Sequence, residues 1–155
     1  MTDRIDSAET KPSETKKLQA VFVFSGIAIL IFALNLFALQ PVLIDLIGPR
    51  SAQFGYILIR IAALVWLARA LAKNAKRNRF QVLSTVLLVG FIDQVVLKGI
   101  WVRHDMGVHP ADWEGIERSS VFITMAMGYL FFIPIVLILA FVGMESIRFR
   151  RDWKV

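Results

Sequence analysis

Long runs of apolar residues alternate with short polar segments along the chain after residue 18. Four of these runs have about the 20 residues that an α-helix needs to cross the hydrocarbon core of a bilayer. The predicted spans lie at about 19–46, 54–72, 80–102 and 119–145. The pattern therefore predicts an all-α integral membrane protein, a four-helix bundle made of two helical hairpins.

Both ends of the chain are polar and are predicted to lie outside this four-span domain of residues 19–146. Residues 1–18 carry four acidic and four basic side chains. They bury too little apolar surface to offset the entropy of ordering, which predicts a disordered cytoplasmic tail. Residues 147–155 are predicted as a basic cytoplasmic tail. Within the apolar runs, Pro41 is expected to kink or end the first helix and Pro134 to kink the fourth.

The composition agrees with a membrane protein and narrows the possible chemistry. Hydrophobic residues make up 57% of the chain, compared with roughly 45–50% in soluble domains. The chain has no cysteine, which excludes disulfides, thiolate chemistry and cysteine-ligated metals. Neither histidine lies inside a predicted span, so haem held within the bilayer is not expected, and the sequence predicts no cofactor.

The distribution of Lys and Arg predicts the orientation. Four precede the first span, five lie in residues 69–79 and four in residues 147–155, whereas the opposite side has only Arg50, Arg103 and Arg118. Because basic residues stay on the cytoplasmic side, we expect both termini to be cytoplasmic in a bacterial-type inner (plasma) membrane. This orientation accounts for the net charge of +6, and the basic loop and tail are expected to contact anionic lipid headgroups instead of nucleic acid.

Polar residues inside the predicted spans form the candidate site, in the outer half of the bundle. At 100° per residue, Gln94 and Lys98 share one stripe of the third span, with Asp93 on its shoulder. A charge facing lipid is costly, so Arg60 is expected to pair with Asp93 at matching depth, while Lys98 extends towards the headgroups. The cluster, predicted to bind a ligand or to join the helices, comprises Asn35, Tyr56, Arg60, Asp93, Gln94, Lys98 and Thr124.

Three interpretations of this cluster stay open. In the first, the polar groups fix which helix packs against which, including the helix of a partner protein. Alternatively, Arg60 and Lys98 exceed Asp93 by one positive charge, which suits a pocket for a lipid phosphate or a carboxylate. Thirdly, Asp93 could couple to ion or proton movement, although the inner half offers no polar route within one protomer.

The polar loop after the third span contains the candidates for a metal site, His104, Asp105 and His109. Histidine with carboxylates can bind zinc, but the spacing matches no established ligand pattern. A short interfacial helix anchored by Trp113 is the favoured interpretation. No metal is therefore predicted.

The sequence contains no nucleophile with a base, carboxylate pair or phosphate-binding glycine loop at a convincing spacing, so an enzyme is not expected. The favoured function is an accessory or structural subunit of a larger membrane complex, or of a homo-oligomer. The alternative is a small transporter or channel-like protein whose outward-facing vestibule contains Arg60, Asp93 and Lys98. A lipid-processing enzyme is the third hypothesis.

Overall fold

The computed structural model describes residues 14–74, 78–108, 117 and 120–152, with side chains as far as residue 146. Helices make up nearly all of these ranges. They are α1 (Glu14–Leu34), α2 (Gln40–Ile47), α3 (Pro49–Lys73), α4 (Arg79–Phe91), α5 (Lys98–Val108) and α6 (Val121–Asp152). Two π-helical segments, Asn35–Leu39 and Ile92–Leu97, join α1 to α2 and α4 to α5.

The described part of the chain contains four continuous helical rods that are long and apolar enough to cross a membrane. They are Glu14–Ile47, Pro49–Lys73, Arg79–Val108 and Val121–Ser146. This confirms the all-helical class and the four candidate membrane-spanning helices. The first three rods are longer than the spans predicted from hydropathy, because helical geometry continues beyond the apolar run at both of their ends.

Two helix starts differ from the predicted boundaries. The first helix begins at Glu14, inside the predicted disordered tail, where an acidic residue favours a helix N-terminus and pairs with Lys17 at 2.8 Å. The second rod begins at Pro49 and not at 54, because Gly48 alone reverses the chain with a φ of 84°. Only glycine adopts this conformation readily, and proline suits the first helical position.

Some of the predicted segments lie outside the described residues. These are residues 1–13 of the N-terminal tail, the interfacial helix around Trp113, and the last residues of the C-terminal tail, 153–155.

Pro41 does not end the first rod, contrary to one of the two expected outcomes. Proline lacks an N–H, and its ring clashes with the carbonyl of the residue four positions earlier in a regular α-helix. Immediately before it, the Gln40 N–H donates to the Asn35 carbonyl, five residues back. This wider π turn accommodates the proline within a continuous helix. Pro134 likewise lies inside the continuous helix α6.

Helix α3 is the most surrounded element, since it packs most extensively against α6 and also contacts α1, α2 and α4. Small residues allow the α3–α6 contact, where Gly143 lies against Val65 and Ala68. At the same end of the molecule, Arg79 of α4 pairs with Glu145 of α6 at 3.0 Å. The helix that carries Arg60 is therefore held on several sides.

Many of the largest apolar side chains lie on the outside of the packed helices. Phe131 is 81% exposed, Phe80 is 78% exposed and Leu46 is 76% exposed. Exposed apolar area on this scale is rare in a soluble monomer, whereas side chains of this kind suit contact with lipid tails. The exposed surface thus agrees with a membrane protein.

Candidate functional site

A buried ion pair between α3 and the second π-helical segment is the centre of the candidate site. Arg60 Nε lies 2.5 Å from Asp93 Oδ2, and Asp93 is completely buried. Both residues lie roughly 20 Å along their helices from the α3–α4 connection, at 1.5 Å per residue. The structure therefore places in contact the two charges that matching depth predicts to pair.

Three further polar side chains extend this ion pair into a network, two of them by direct hydrogen bonds and the third through the Tyr56 backbone. Arg60 Nη1 donates to Gln94 Oε1 at 2.8 Å, and the Tyr56 hydroxyl donates to Asp93 Oδ1 at 3.4 Å. Asn35 Nδ2 donates to the Tyr56 carbonyl at 3.3 Å. The network thereby links three of the four rods. Among the described side chains, the buried polar or charged ones are Asn35, Arg60, Asp93 and Gln94.

The π-helical segment Ile92–Leu97 explains how adjacent acid and amide side chains both reach α3. Asp93, Gln94 and Val95 are all buried, although neighbouring side chains diverge by 100° in a regular α-helix. The Lys98 N–H donates to the Asp93 carbonyl, five residues back, so each residue turns through a smaller angle. Asp93 is thus the most buried of these three residues. The prediction, which assumes a uniform α-helix, places it at the edge of the stripe that contains Gln94 and Lys98.

Lys98 lies beside this network and not within it. Its side chain is half-buried and lines a cavity of about 240 Å³ together with Arg60. Across the described part of the chain, Lys98 has no ion-pair partner. The remaining residues that line the cavity are Gln53, Tyr56, Ile57, Ile61, Leu64, Phe132, Ile135, Val136 and Leu139.

The network leaves some of its buried atoms without hydrogen bonds. Among the described residues, Arg60 Nη2, Asp93 Oδ2 and Asn35 Oδ1 have no hydrogen-bond partner. The negative charge on Asp93 Oδ2 is compensated by the nearby positive charge of Arg60. This contact is an ion pair, because its geometry is not that of a well-oriented hydrogen bond. The Arg60 guanidinium also lies 5.5 Å from the centre of the Phe132 ring, which stabilises a cation modestly. One donor of a buried cation therefore stays unused.

Thr124 does not join the cluster, contrary to the prediction. It is exposed, and Met127 and Phe131 on the same stripe of α6 are 57% and 81% exposed. The face that packs inward instead contains Val121, Tyr129 and Val136. Both faces of α6 are apolar, so periodicity alone did not distinguish them.

Tyr129 and Phe132 are two aromatic residues of this region that the sequence did not single out. The Tyr129 hydroxyl donates to the Leu87 carbonyl at 2.6 Å, and its ring packs edge-on against Phe91. A tyrosine within an apolar span was the available signal, because a buried phenol usually finds a hydrogen-bond partner. Phe132, beside Arg60, gave no such signal in a helix rich in phenylalanine.

The candidate metal ligands do not form a site within the described residues. His104 is exposed on α5, next to Asp105, and His109 lies outside the described ranges. No group of three or more His, Asp or Glu side chains occurs in the part of the chain that the structure describes.

A packed apolar layer lies between the polar network and the α3–α4 connection. Its side chains come from α3 and α4 and are almost completely inaccessible. They are Leu64, Leu67, Leu71, Val82 and Val86. The polar network is therefore confined to the half of the helices nearer Gly48, with no polar side chain buried in this layer among those described.

Comparison of the chain with protein-family models, with curated proteins and with solved structures finds no significant match.

Proposed function

We propose that the chain is a small, non-catalytic multi-pass membrane protein that acts as an accessory or structural subunit, in a larger membrane complex or a homo-oligomer. The observation that carries this proposal is the pairing of Arg60 with Asp93 within one chain. Arg60 and Asp93 neutralise each other, and Gln94 and Tyr56 bond to them. Charges used in this way hold helices in register, which is a structural task.

The apolar layer beneath the network supports the same proposal. An ion or proton pathway needs polar groups or water along its whole length. Leu67, Leu71, Val82 and Val86 are each completely buried there, so a single chain has no evident route. The cavity beside the network is lined by no carboxylate, which gives little support to the hypothesis of a lipid-processing enzyme.

We further propose an inner-membrane location with both termini cytoplasmic, based on the Lys and Arg bias across the four spans. Partners would then be other membrane-protein subunits or further copies of the chain, and anionic lipids at the basic segments. Reporter fusions after Ser146 and within residues 109–116 test the orientation. A cytoplasmic reporter signal from 109–116 would contradict it.

The subunit proposal is tested by purifying the tagged chain from its own membranes in a mild neutral detergent. Native mass spectrometry should then show stoichiometric partner proteins or a defined homo-oligomer. Crosslinking in intact membranes before extraction controls for complexes that the detergent dissociates. A chain that is monomeric and unpartnered in both measurements would contradict the proposal.

A small transporter is the second candidate, because Arg60 and Lys98 both line a cavity. Asp93, the third residue of the hypothetical vestibule, is completely buried and does not line it. Transport would need the apolar layer to open or a route between chains. An Asp93→Asn variant that folds normally but abolishes a measured flux in proteoliposomes would favour this function over the subunit proposal.

A further inference from the structure

The cavity between α3 and α6 has a polar part and an apolar part, in a fixed order along the helices. On α3, Tyr56 and Arg60 line the part nearer Gly48 together with Ile57, and Leu64 lines the part farther away, where no polar side chain lines the cavity. On α6, Ile135 and Leu139 continue the apolar wall in the same direction. The cavity thus matches a molecule with a polar head and a hydrocarbon tail, with the head towards Gly48.

The polar part of the cavity has an excess of positive charge. Asp93 neutralises Arg60, and Lys98 has no ion-pair partner among the described residues, so one cation is uncompensated. Arg60 is only 8% exposed, yet its Nη2 has no hydrogen-bond partner within the described chain. A buried cation or donor without a partner is unfavourable. An anionic oxygen in the cavity would compensate the charge of Lys98.

The walls of the cavity reach the surface that faces lipid. Ile57, Ile61 and Ile135 line it and are 43%, 37% and 48% exposed. A molecule could therefore enter from within the bilayer plane. At about 240 Å³, the cavity is smaller than typical small-molecule sites of roughly 300–1,000 Å³. It would enclose a head and the first part of a chain, and the remaining chain would lie among the membrane lipids.

We propose that this cavity binds one anionic amphiphile from the membrane, a carboxylate or phosphate carried on an alkyl chain. Its anionic oxygens contact Lys98 in the part of the cavity that Arg60 also lines, and its alkyl chain lies along α6 beside Ile135 and Leu139. The inference does not depend on the subunit proposal, since the site lies within a single chain.

Native mass spectrometry of the purified full chain in a neutral maltoside detergent tests the proposal. Four probes are added separately: dioleoyl phosphatidylglycerol, oleate, dioleoyl phosphatidylcholine and inorganic phosphate. We expect one bound phosphatidylglycerol or oleate per chain, with at least tenfold weaker binding of phosphatidylcholine. Inorganic phosphate should not displace oleate, because it lacks the alkyl chain. Equal binding of the anionic and zwitterionic lipids, or displacement by phosphate, would overturn the proposal.

The role of the Lys98 charge in ligand binding is tested with Lys98→Gln and its matched control Arg103→Gln. Both substitutions remove one positive charge from α5, but Arg103 is exposed and does not line the cavity. Lys98→Gln should weaken oleate binding about tenfold, the effect of losing one charge-assisted hydrogen bond, and Arg103→Gln should leave it unchanged. Similar binding by the two variants would overturn the role of Lys98.

The apolar wall is tested with Ile135→Trp and Ile138→Trp on α6. Ile135 lines the cavity, whereas Ile138 is 63% exposed and does not. The first substitution should fill the cavity and reduce oleate binding at least tenfold, and the second should not. Thermal unfolding of each variant shows whether it is folded. If folded Ile135→Trp binds oleate as tightly as the unsubstituted chain, the ligand does not occupy this cavity.

Discussion

Gly143 of α6 lies directly against the carbonyl oxygen of Val65 on α3. A methyl group at residue 143 would lie 2.6 Å from this oxygen and 2.8 Å from Cβ of Ala68. A backbone carbonyl within a helix cannot move aside independently, so the two helices approach this closely only because residue 143 is glycine.

Gly143→Ala should therefore destabilise the protein by about 1–3 kcal/mol, as overpacking typically does. Unfolding in mixed detergent micelles, followed by circular dichroism, measures the change. Gly128→Ala is the matched control in the same helix, because no neighbouring atom lies within 4 Å of the position that its methyl group would take. Equal destabilisation by both substitutions would mean that the α3–α6 contact is not this close.

Substituting one partner of the Arg60–Asp93 pair should destabilise the protein more than substituting both. Asp93→Asn leaves the guanidinium without its counter-charge, and Arg60→Gln leaves a completely buried carboxylate. We expect each to reduce the free energy of unfolding by about 3 kcal/mol, as for other buried pairs. The double variant should be more stable than either single one. Strictly additive losses would show that the two residues do not stabilise each other.

Replacing Gln94 by an apolar residue should destabilise the protein, whereas the same kind of change at Thr124 should have almost no effect. Gln94→Leu removes the acceptor of Arg60 Nη1 and should cost about 1–3 kcal/mol, because a buried charged donor is left unpaired. Thr124→Val should change stability by less than about 0.5 kcal/mol, as expected for an exposed residue. The same unfolding assay measures both variants. If Thr124→Val destabilised the protein more than Gln94→Leu, Thr124 would belong to the polar cluster after all.

Tyr129→Phe tests the hydrogen bond that joins α6 to α4. The substitution removes the donor to the Leu87 carbonyl but keeps the ring that packs against Phe91. We expect a loss of about 0.5–1.5 kcal/mol, the net value of one hydrogen bond. Tyr129→Leu removes the ring as well and should cost more. Equal losses for the two variants would mean that the ring contributes nothing beyond the hydroxyl.

The sequence predicts the class and the charged pair because these depend on composition and on position along straight helices. Runs of apolar residues identify the four rods, and counting residues from the helix ends brings Arg60 and Asp93 to the same depth. A uniform 100° rotation fails where the helix widens into a π turn, so it does not predict that Asp93, Gln94 and Val95 are buried together. The same helical periodicity also fails to predict which face of α6 packs inward, because both faces of that helix are apolar.

Some local features depend on atomic packing that hydropathy does not encode. The close approach of Gly143 to Val65 depends on how two helices cross, and six other glycines in the described chain do not meet a backbone carbonyl in this way. The hydrogen bond of Tyr129 to Leu87 similarly depends on which face of α6 turns inward. The sequence singled out Arg60 and Lys98, but it predicted neither Gln53 nor the apolar wall as lining of the cavity.

The single residue Gly48 between α2 and α3 has a consequence for biogenesis. Such a connection leaves no spare chain between the first two rods, so neither can reach its final position before the other is in the membrane. We therefore expect the two rods to insert together as one helical hairpin during synthesis. A substitution that disfavours the positive φ at Gly48 would then affect the yield of inserted protein more than the stability of molecules already in the membrane.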